Sequence, residues 1–217
     1  MKTKKLIPFA VLLLATLLAC STISNLAAPP TPTPNVVLFE ETEFVDACQS
    51  KSTSDVERFA ENGQFIMKVV TPSYVGWTEC TGTEYADFIV EADATQISGP
   101  NNNAYGIILR YGLQSDEFYA FLISGDGYHA FTVDGVNHSD PEFLADWTES
   151  SAINKGAQTN RLKVVAVGSS MKYYVNDQLL GEVQDARFGT GTVGFFAGTV
   201  DEGNLQVAFD NLRVSEP

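Results

Sequence analysis

From Gly63 onward, apolar and polar residues alternate in short runs separated by Gly, Asn, Asp or Pro. In YGIILRY, side chains that alternate along an extended chain put Tyr105, Ile107, Leu109 and Tyr111 on one face. Gly106, Ile108 and Arg110 take the other. Tyr119, Phe121 and Ile123 alternate in the same way with Phe118, Ala120 and Leu122, and His129 and Phe131 with Tyr128 and Ala130. This pattern, rich in Val, Ile, Phe and Tyr, predicts strands over Gly63–Val70, Val75–Thr78, Tyr85–Ala94, Ala104–Tyr111, Phe118–Ser124 and Tyr128–Val133. Further strands are predicted over Arg161–Val167, Met171–Val175, Gln178–Val183, Gly191–Ala197 and Leu205–Val214. Asn176-Asp177 predicts a two-residue hairpin turn, because both residue types tolerate positive φ. Gly125-Asp126-Gly127 predicts a second tight turn. Short helical turns are expected around Asp140–Asp146 or Asp185–Phe188, and no longer helix after the N-terminal leader. Many short strands without intervening helices imply an antiparallel sandwich or barrel. Several strands offer apolar groups to both sides, which suits a sheet whose outer face is concave and partly covered.

The chain opens with a different pattern. Lys2, Lys4 and Lys5 precede the apolar stretch Leu6–Ala19, a secretory signal layout too short for a stable membrane span. Leu17-Leu18-Ala19-Cys20 resembles the lipobox of bacterial lipoproteins. The resemblance implies cleavage before Cys20, acylation of its thiol and an extracytoplasmic location at the membrane. Residues 21–35, with Pro29, Pro30, Pro32 and Pro34, favour extended polyproline-like conformations and read as a tether. The expected organisation is a signal peptide over 1–19, a lipidated cysteine and linker over 20–35, and one sandwich domain over 36–217.

Charge narrows the partners. Three of the 13 basic residues and none of the 27 acidic ones lie in the leader, which leaves 10 against 27 and a formal charge of −17. That balance argues against nucleic acid and against adsorption to an anionic lipid surface. With Cys20 assigned to lipid, Cys48 and Cys80 remain as an even pair in an oxidising compartment, where a disulfide is the default. It would close a loop of about 33 residues and contribute roughly 3–4 kcal/mol. There is no CxxC, no zinc spacing, no phosphate loop and no G-x-S-x-G elbow.

The ordered series G-x-x-x-R (Gly106–Arg110), F-Y-x-F-x-I-S (Phe118–Ser124), N-x-L-x-V (Asn160–Val164), Y-V-N (Tyr174–Asn176) and F-D-N (Phe209–Asn211) resembles the concanavalin A-like jelly-roll superfamily. The resemblance is nearest to bacterial laminin-G-like and 3-keto-disaccharide hydrolase domains, and covers roughly residues 37–215. It implies an all-β, two-sheet antiparallel jelly-roll sandwich. It does not choose between glycan-binding modules, enzymes and interaction domains, all of which use this fold.

Three constellations carry possible chemistry. Glu91-Ala92-Asp93 resembles the start of the E-x-D-x-x-E signature of laminarinase-type hydrolases. The third position falls at Gln96, which cannot supply the second carboxyl group a retaining glycosidase requires, so no residue is assigned a catalytic role. Arg110, Tyr119, Tyr128, His129, Asp146 and Trp147 form the candidate ligand-binding set. Aromatic faces stack on the C–H faces of sugar rings, and the polar members hydrogen-bond hydroxyls. Each also has a plain structural reading as sheet packing, an edge plug or a local ion pair. Asp210, in the F-D-N segment, matches a position that the resemblance makes a side-chain ligand for structural calcium; its alternative is a local cap. Asn137-His138-Ser139 has the spacing of a glycosylation site, which has no bearing on a bacterial lipoprotein. The expected function is non-catalytic binding of a polysaccharide or other cell-surface ligand by a membrane-anchored sandwich. Cleavage of glycosides through Arg110, Glu91, Asp93 and His129 is the enzymatic alternative, and a protein-interaction module is the third.

Overall fold

A computed structural model of the chain describes residues 35–48, 51–135 and 140–217. Cys20, residues 21–34 of the tether and the Asn137-His138-Ser139 motif lie outside these residues. Two antiparallel sheets face each other. The first has the order β12 (Gln178–Gln184), β11 (Ser170–Val175), β10 (Thr159–Val167), β5 (Phe88–Ser98), β14 (Leu205–Ser215), β3 (Gln64–Val69) and β2 (Val56–Glu61). β1 (Val37–Glu41) pairs with the last residues of β14, beyond the stretch that β3 covers. The second sheet has the order β4 (Val75–Glu79), β13 (Thr192–Gly198), β6 (Ala104–Tyr111), β7 (Phe118–Ser124), β8 (Tyr128–Asp134) and β9 (Glu142–Glu149). Of the sandwich and the barrel that the strand pattern allows, the chain forms the sandwich, in the two-sheet jelly-roll form that the resemblance implies.

The alternation explains the core. Phe88, Val90, Ala92 and Ala94 point inward from β5, while Glu91 and Asp93 point out. From the opposing sheet come Tyr105, Ile107, Leu109, Tyr119, Phe121, Ile123 and Phe131. Phe195 and Phe209 stack across the sandwich with centroids 4.1 Å apart. Burying each ring contributes about 2–3 kcal/mol. The Asn176-Asp177 hairpin forms as predicted, with φ of 49° and 63°. Cys48 and Cys80 form the expected disulfide.

Two local expectations are corrected. The segment predicted to make a helical turn around Asp140–Asp146 instead enters the edge strand β9, and Asp185–Phe188 is an irregular loop; the described residues contain no helix. Arg110 breaks the alternation of β6. It has φ of 52° and is the extra residue of a bulge, since Thr192 pairs with Tyr111 and Val193 with Leu109. A bulge shifts the side-chain parity by one. Tyr111 therefore lies not on the interior face that strict alternation predicts but with Ile108 and Phe118 on the outside of the second sheet. Gly191 makes room for this turn, because a Cβ there would lie 2.3 Å from the Arg110 carbonyl carbon.

Candidate functional site

The outer face of the six-stranded sheet is apolar where a solvated sheet face is usually polar. Ile108, Phe118, Ala120, Leu122 and Phe196 form a second buried cluster there, separate from the interior, with Trp77 packed against it. Trp77 and Phe118 have ring centroids 5.5 Å apart. Three adjoining cavities open over this floor. The first, about 320 Å³, is lined by Asn102, Ser124, Asp126, Tyr128, Trp147 and Val200, among others. The second, about 230 Å³, shares Ala104, Trp147 and Val200 with it and adds Leu122, Thr132, Asp134, Phe143 and Phe196. The third, about 430 Å³, shares Val75, Asp134, Pro141 and Phe196 with the second and adds Trp77, Asp116, Phe118 and Asp140. The lining shifts from the Ser124–Tyr128 turn to Phe118 and Asp134 at the other end of the same strand pair. The groove therefore follows the strands, over about 20 Å for a seven-residue strand. Of the described cavities, another of about 350 Å³ lies beside the disulfide, lined by β1, the end of β4 and the loops next to them.

The six residues of the candidate binding set divide. Tyr128 and Trp147 meet at the first cavity, 37% and 39% exposed. Asp146 is exposed on β9 next to Trp147 but does not line the cavities. The other three turn inward. His129 packs against Tyr173 across the sandwich at 5.8 Å, 5% exposed, with no partner on Nδ1. Desolvation lowers its pKa and favours the neutral ring. Tyr119 is fully buried, donating to Asp185 at 2.6 Å and accepting from the Phe188 amide at 3.1 Å. Burial, followed by the Asp185 carboxylate, pushes its pKa up to about 12.

Arg110 needs the largest correction. It is 1% exposed, and its guanidinium donates to the carbonyls of Phe188 (3.0 Å), Ala86 (2.9 Å) and Gly168 (2.7 Å). The bulge rotates this side chain away from the groove and toward the loops that close one end of the sandwich. It fastens loops and has no donor turned to a ligand in the groove.

The hydrolase-like pair is on the wrong side for the groove. Glu91 and Asp93 lie on the outer face of the eight-stranded sheet, as strand neighbours of β10 and β14. Arg161 reaches Glu91 at 3.4 Å and Asp93 at 3.8 Å, and Asn211 Nδ2 donates to Asp93 at 2.8 Å. The enzymatic set of Arg110, Glu91, Asp93 and His129 is thus spread over an outer face, an end loop and the interior.

Asp210 is engaged locally. One oxygen accepts from the Asn211 amide at 2.7 Å and the other from Gln64 Nε2 at 3.3 Å. Asn211, at φ 51°, is the pivot of a bulge that lets both Phe209 and Leu212 face inward. The F-D-N segment therefore has a backbone role, and among the described residues no group of three or more His, Cys, Asp and Glu is placed to hold a metal.

Trp77, Phe118, Asp134, Phe143 and Phe196 belong to the groove but not to the set read from sequence. The signal for them in the sequence is strands with apolar groups on both faces; the helical turn expected around Asp140–Asp146 gives no place to Phe143, which β9 brings to the groove.

No family model matches this chain. A TPR repeat-containing protein of Treponema pallidum (strain Nichols) is 33% identical over 82 residues, 38% of this chain and 9% of that protein, so the chain spans under a tenth of that relative. Among solved structures, the carbohydrate binding module CBM66 from Bacillus subtilis superposes with a TM-score of 0.57 at 17% identity, over 69% of this chain and 86% of the module. A galectin-like protein of unknown function from Bacillus subtilis gives 0.59 at 11% identity, over 85% and 97%. The catalytic domain of an endo-1,3-beta-glucanase (laminarinase) from Thermotoga petrophila RKU-1 gives 0.58 at 12% identity, over 84% and 98%. The chain has the jelly-roll sandwich fold common to these carbohydrate-binding, galectin-like and glycoside hydrolase structures.

Proposed function

We propose that this protein binds glycans in the groove on the outer face of the six-stranded sheet, without cleaving them, while Cys20 and the Pro-rich tether hold it at the envelope. One observation carries the glycan reading: an apolar floor outside the sandwich core, flanked by Trp77, Tyr128 and Trp147 and edged by Asp and Asn side chains. Aromatic planes suit the C–H faces of pyranose rings, and amide and carboxylate groups suit hydroxyls. An unpartnered apolar surface of this kind marks an interaction site. The anchoring half rests on the lipobox-like Leu17–Cys20 segment and is checked separately, by metabolic labelling with a fatty-acid analogue and its loss in Cys20→Ala.

The full-length protein applied to a glycan array is expected to retain at least one class of oligosaccharide, and to lose it in Trp147→Ala. Silence across neutral, basic and acidic glycans would overturn the reading. A second reading, hydrolysis, draws on one observation. Asp134 is half-buried between two of the cavities, burial raises its carboxyl pKa, and Asp116 and Asp140 line the same cavity. A raised carboxyl beside a second one is the arrangement that glycosidases use. Turnover of a bound oligosaccharide, abolished in Asp134→Asn, would favour it over binding alone.

A further inference from the structure

The wall of the first cavity is built over a buried imidazole. Tyr128 lines the cavity, and the next residue, His129, turns its ring inward to Tyr173. His129 pairs with Thr148 and Phe131 with Ala145, so Ala130 faces two residues of β9, Asp146 and Trp147. Trp147 thus reaches the groove from a bulge set beside His129. The Thr148 hydroxyl braces this bulge by donating to the Asp146 carbonyl at 3.0 Å. β9 is an edge strand that pairs with β8 alone. We infer that His129 makes the wall of Tyr128 and Trp147 acid-sensitive: the neutral ring holds β8 and β9 together, and protonation frees the end of β9 that carries Trp147 and releases what the groove holds. The inference rests on the glycan reading above for what is released, and adds regulation to that site.

Ile123 of β7 and Thr148 of β9 flank the ring in register, and Tyr173 of β11 meets it across the sandwich. Of these only Tyr173 titrates, and burial raises its pKa, so it stays neutral in acid. Glu149 stands opposite Tyr128, on the other face of the sheet, and pairs with Lys155 at 2.9 Å. Desolvation alone lowers the pKa of His129. Its Nδ1 has no partner among the described residues, and on protonation it would become a buried donor without an acceptor. Once the strand pair parts and the ring meets water, its pKa returns to about 6.5. The open state therefore takes up the proton more readily than the closed one, and each unit of difference multiplies the open population by up to about tenfold in acid. The wall is tight above the ordinary imidazole range and loosens as pH falls below it. An edge strand is where such an opening costs least, since one of its sides has no partner strand to leave.

The test first reads the wall without any ligand. In the full-length protein, Trp77→Phe leaves Trp147 as the single tryptophan, and acrylamide quenching of its emission reports its exposure. Between pH 7.5 and 5 the quenching constant should rise at least about twofold. It should stay level when His129→Phe, which keeps a ring in place but cannot titrate, is added. If Trp77→Phe does not fold, hydrogen exchange over residues 126–150, compared between wild type and His129→Phe at each pH, makes the same measurement. No rise would overturn the inference. A rise that persists in His129→Phe would also overturn it and would assign the effect to another group, such as Asp134, whose pKa burial raises. Titration with β-glucan and N-acetylglucosamine oligomers at both pH values then tests release. Weaker binding at pH 5 in wild type, with equal binding at the two pH values in His129→Phe, supports it. Equal binding at both pH values in wild type would overturn release and leave glycan binding standing. Absence of binding at either pH counts against the glycan reading, while the quenching result still decides the acid sensitivity of the wall.

Discussion

Arg110 donates from Nη2 to the Gly168 carbonyl at 2.7 Å, although 58 residues of chain separate the two. The same nitrogen bonds the Ala86 carbonyl and Nη1 bonds that of Phe188, so one guanidinium ties three loops at one end of the sandwich. Removing it leaves three carbonyls to find water or remain unpaired in a closed site. Arg110→Met should lower stability by about 2–4 kcal/mol, the range for losing a buried, charged hydrogen-bond donor. Arg110→Lys should recover only part, because an ammonium lacks the planar fork. Urea unfolding read by tryptophan fluorescence measures both. Unchanged midpoints would contradict the fastening role, and loss of sugar binding in a folded variant would return Arg110 to the ligand site.

The Cys48–Cys80 disulfide closes 32 residues of sequence separation and brackets the β2 and β3 hairpin. Loop-closure entropy predicts a contribution of about 3–4 kcal/mol. A Cys48→Ala/Cys80→Ala double variant, compared with wild type with and without reductant, should show this loss in the urea midpoint. Reductant should lower the wild type toward the double variant and leave the variant unmoved.

His129 makes stability depend on pH with a definite sign. Its pKa is lowered in the folded state, so below the unfolded value near 6.5 the unfolded chain binds more protons than the native one. Stability should therefore fall as pH drops from about 7 through 6.5 toward the lower folded value, and level off once both states are protonated. His129→Gln should flatten that part of the profile. Because His138 is present in both proteins, the difference between their unfolding curves over pH 5–7.5 isolates His129. A profile unaffected by the substitution would contradict the interior placement of the ring.

How much of this was legible beforehand depends on what each feature answers to. Period-two alternation exposes strand faces, so the sandwich, the Asn176-Asp177 turn and the core phenylalanines could be read from residue order. Disulfide pairing followed from parity once Cys20 was set aside. Bulges could not be read, because a single left-handed residue such as Arg110 or Asn211 reverses every face after it. That one conformational choice moved Arg110 out of the site and Tyr111 into its floor. β9 is not legible because EFLADWTE, an exposed edge strand, lacks clear alternation, and neither is the cavity that Phe143 lines with Trp147. Residues that converge from strands distant in sequence, such as Trp77 and Asp134, leave no local signal.

Sugar stacking at the first cavity gives a direct mutational expectation. Trp147→Ala and Tyr128→Ala should each weaken oligosaccharide binding about tenfold, equivalent to about 1.4 kcal/mol for one aromatic contact. Glu91→Gln, on the opposite sheet, should leave affinity unchanged. Isothermal titration of the three variants checks this; equal losses in all three would indicate a fold effect and no groove.

The chain contains two tryptophans, Trp77 and Trp147, and both line the groove. Intrinsic fluorescence therefore reports on the proposed site without a label. Titrating the full-length protein with glucosamine, N-acetylglucosamine and β-glucan oligomers should produce a saturable change in tryptophan emission with at least one of them. That change should shrink in both Trp77→Phe and Trp147→Phe. Oligosaccharide binding detected by calorimetry with no change in emission, or no saturable response to any of these sugars by either method, would contradict a glycan site on the outer face of the six-stranded sheet.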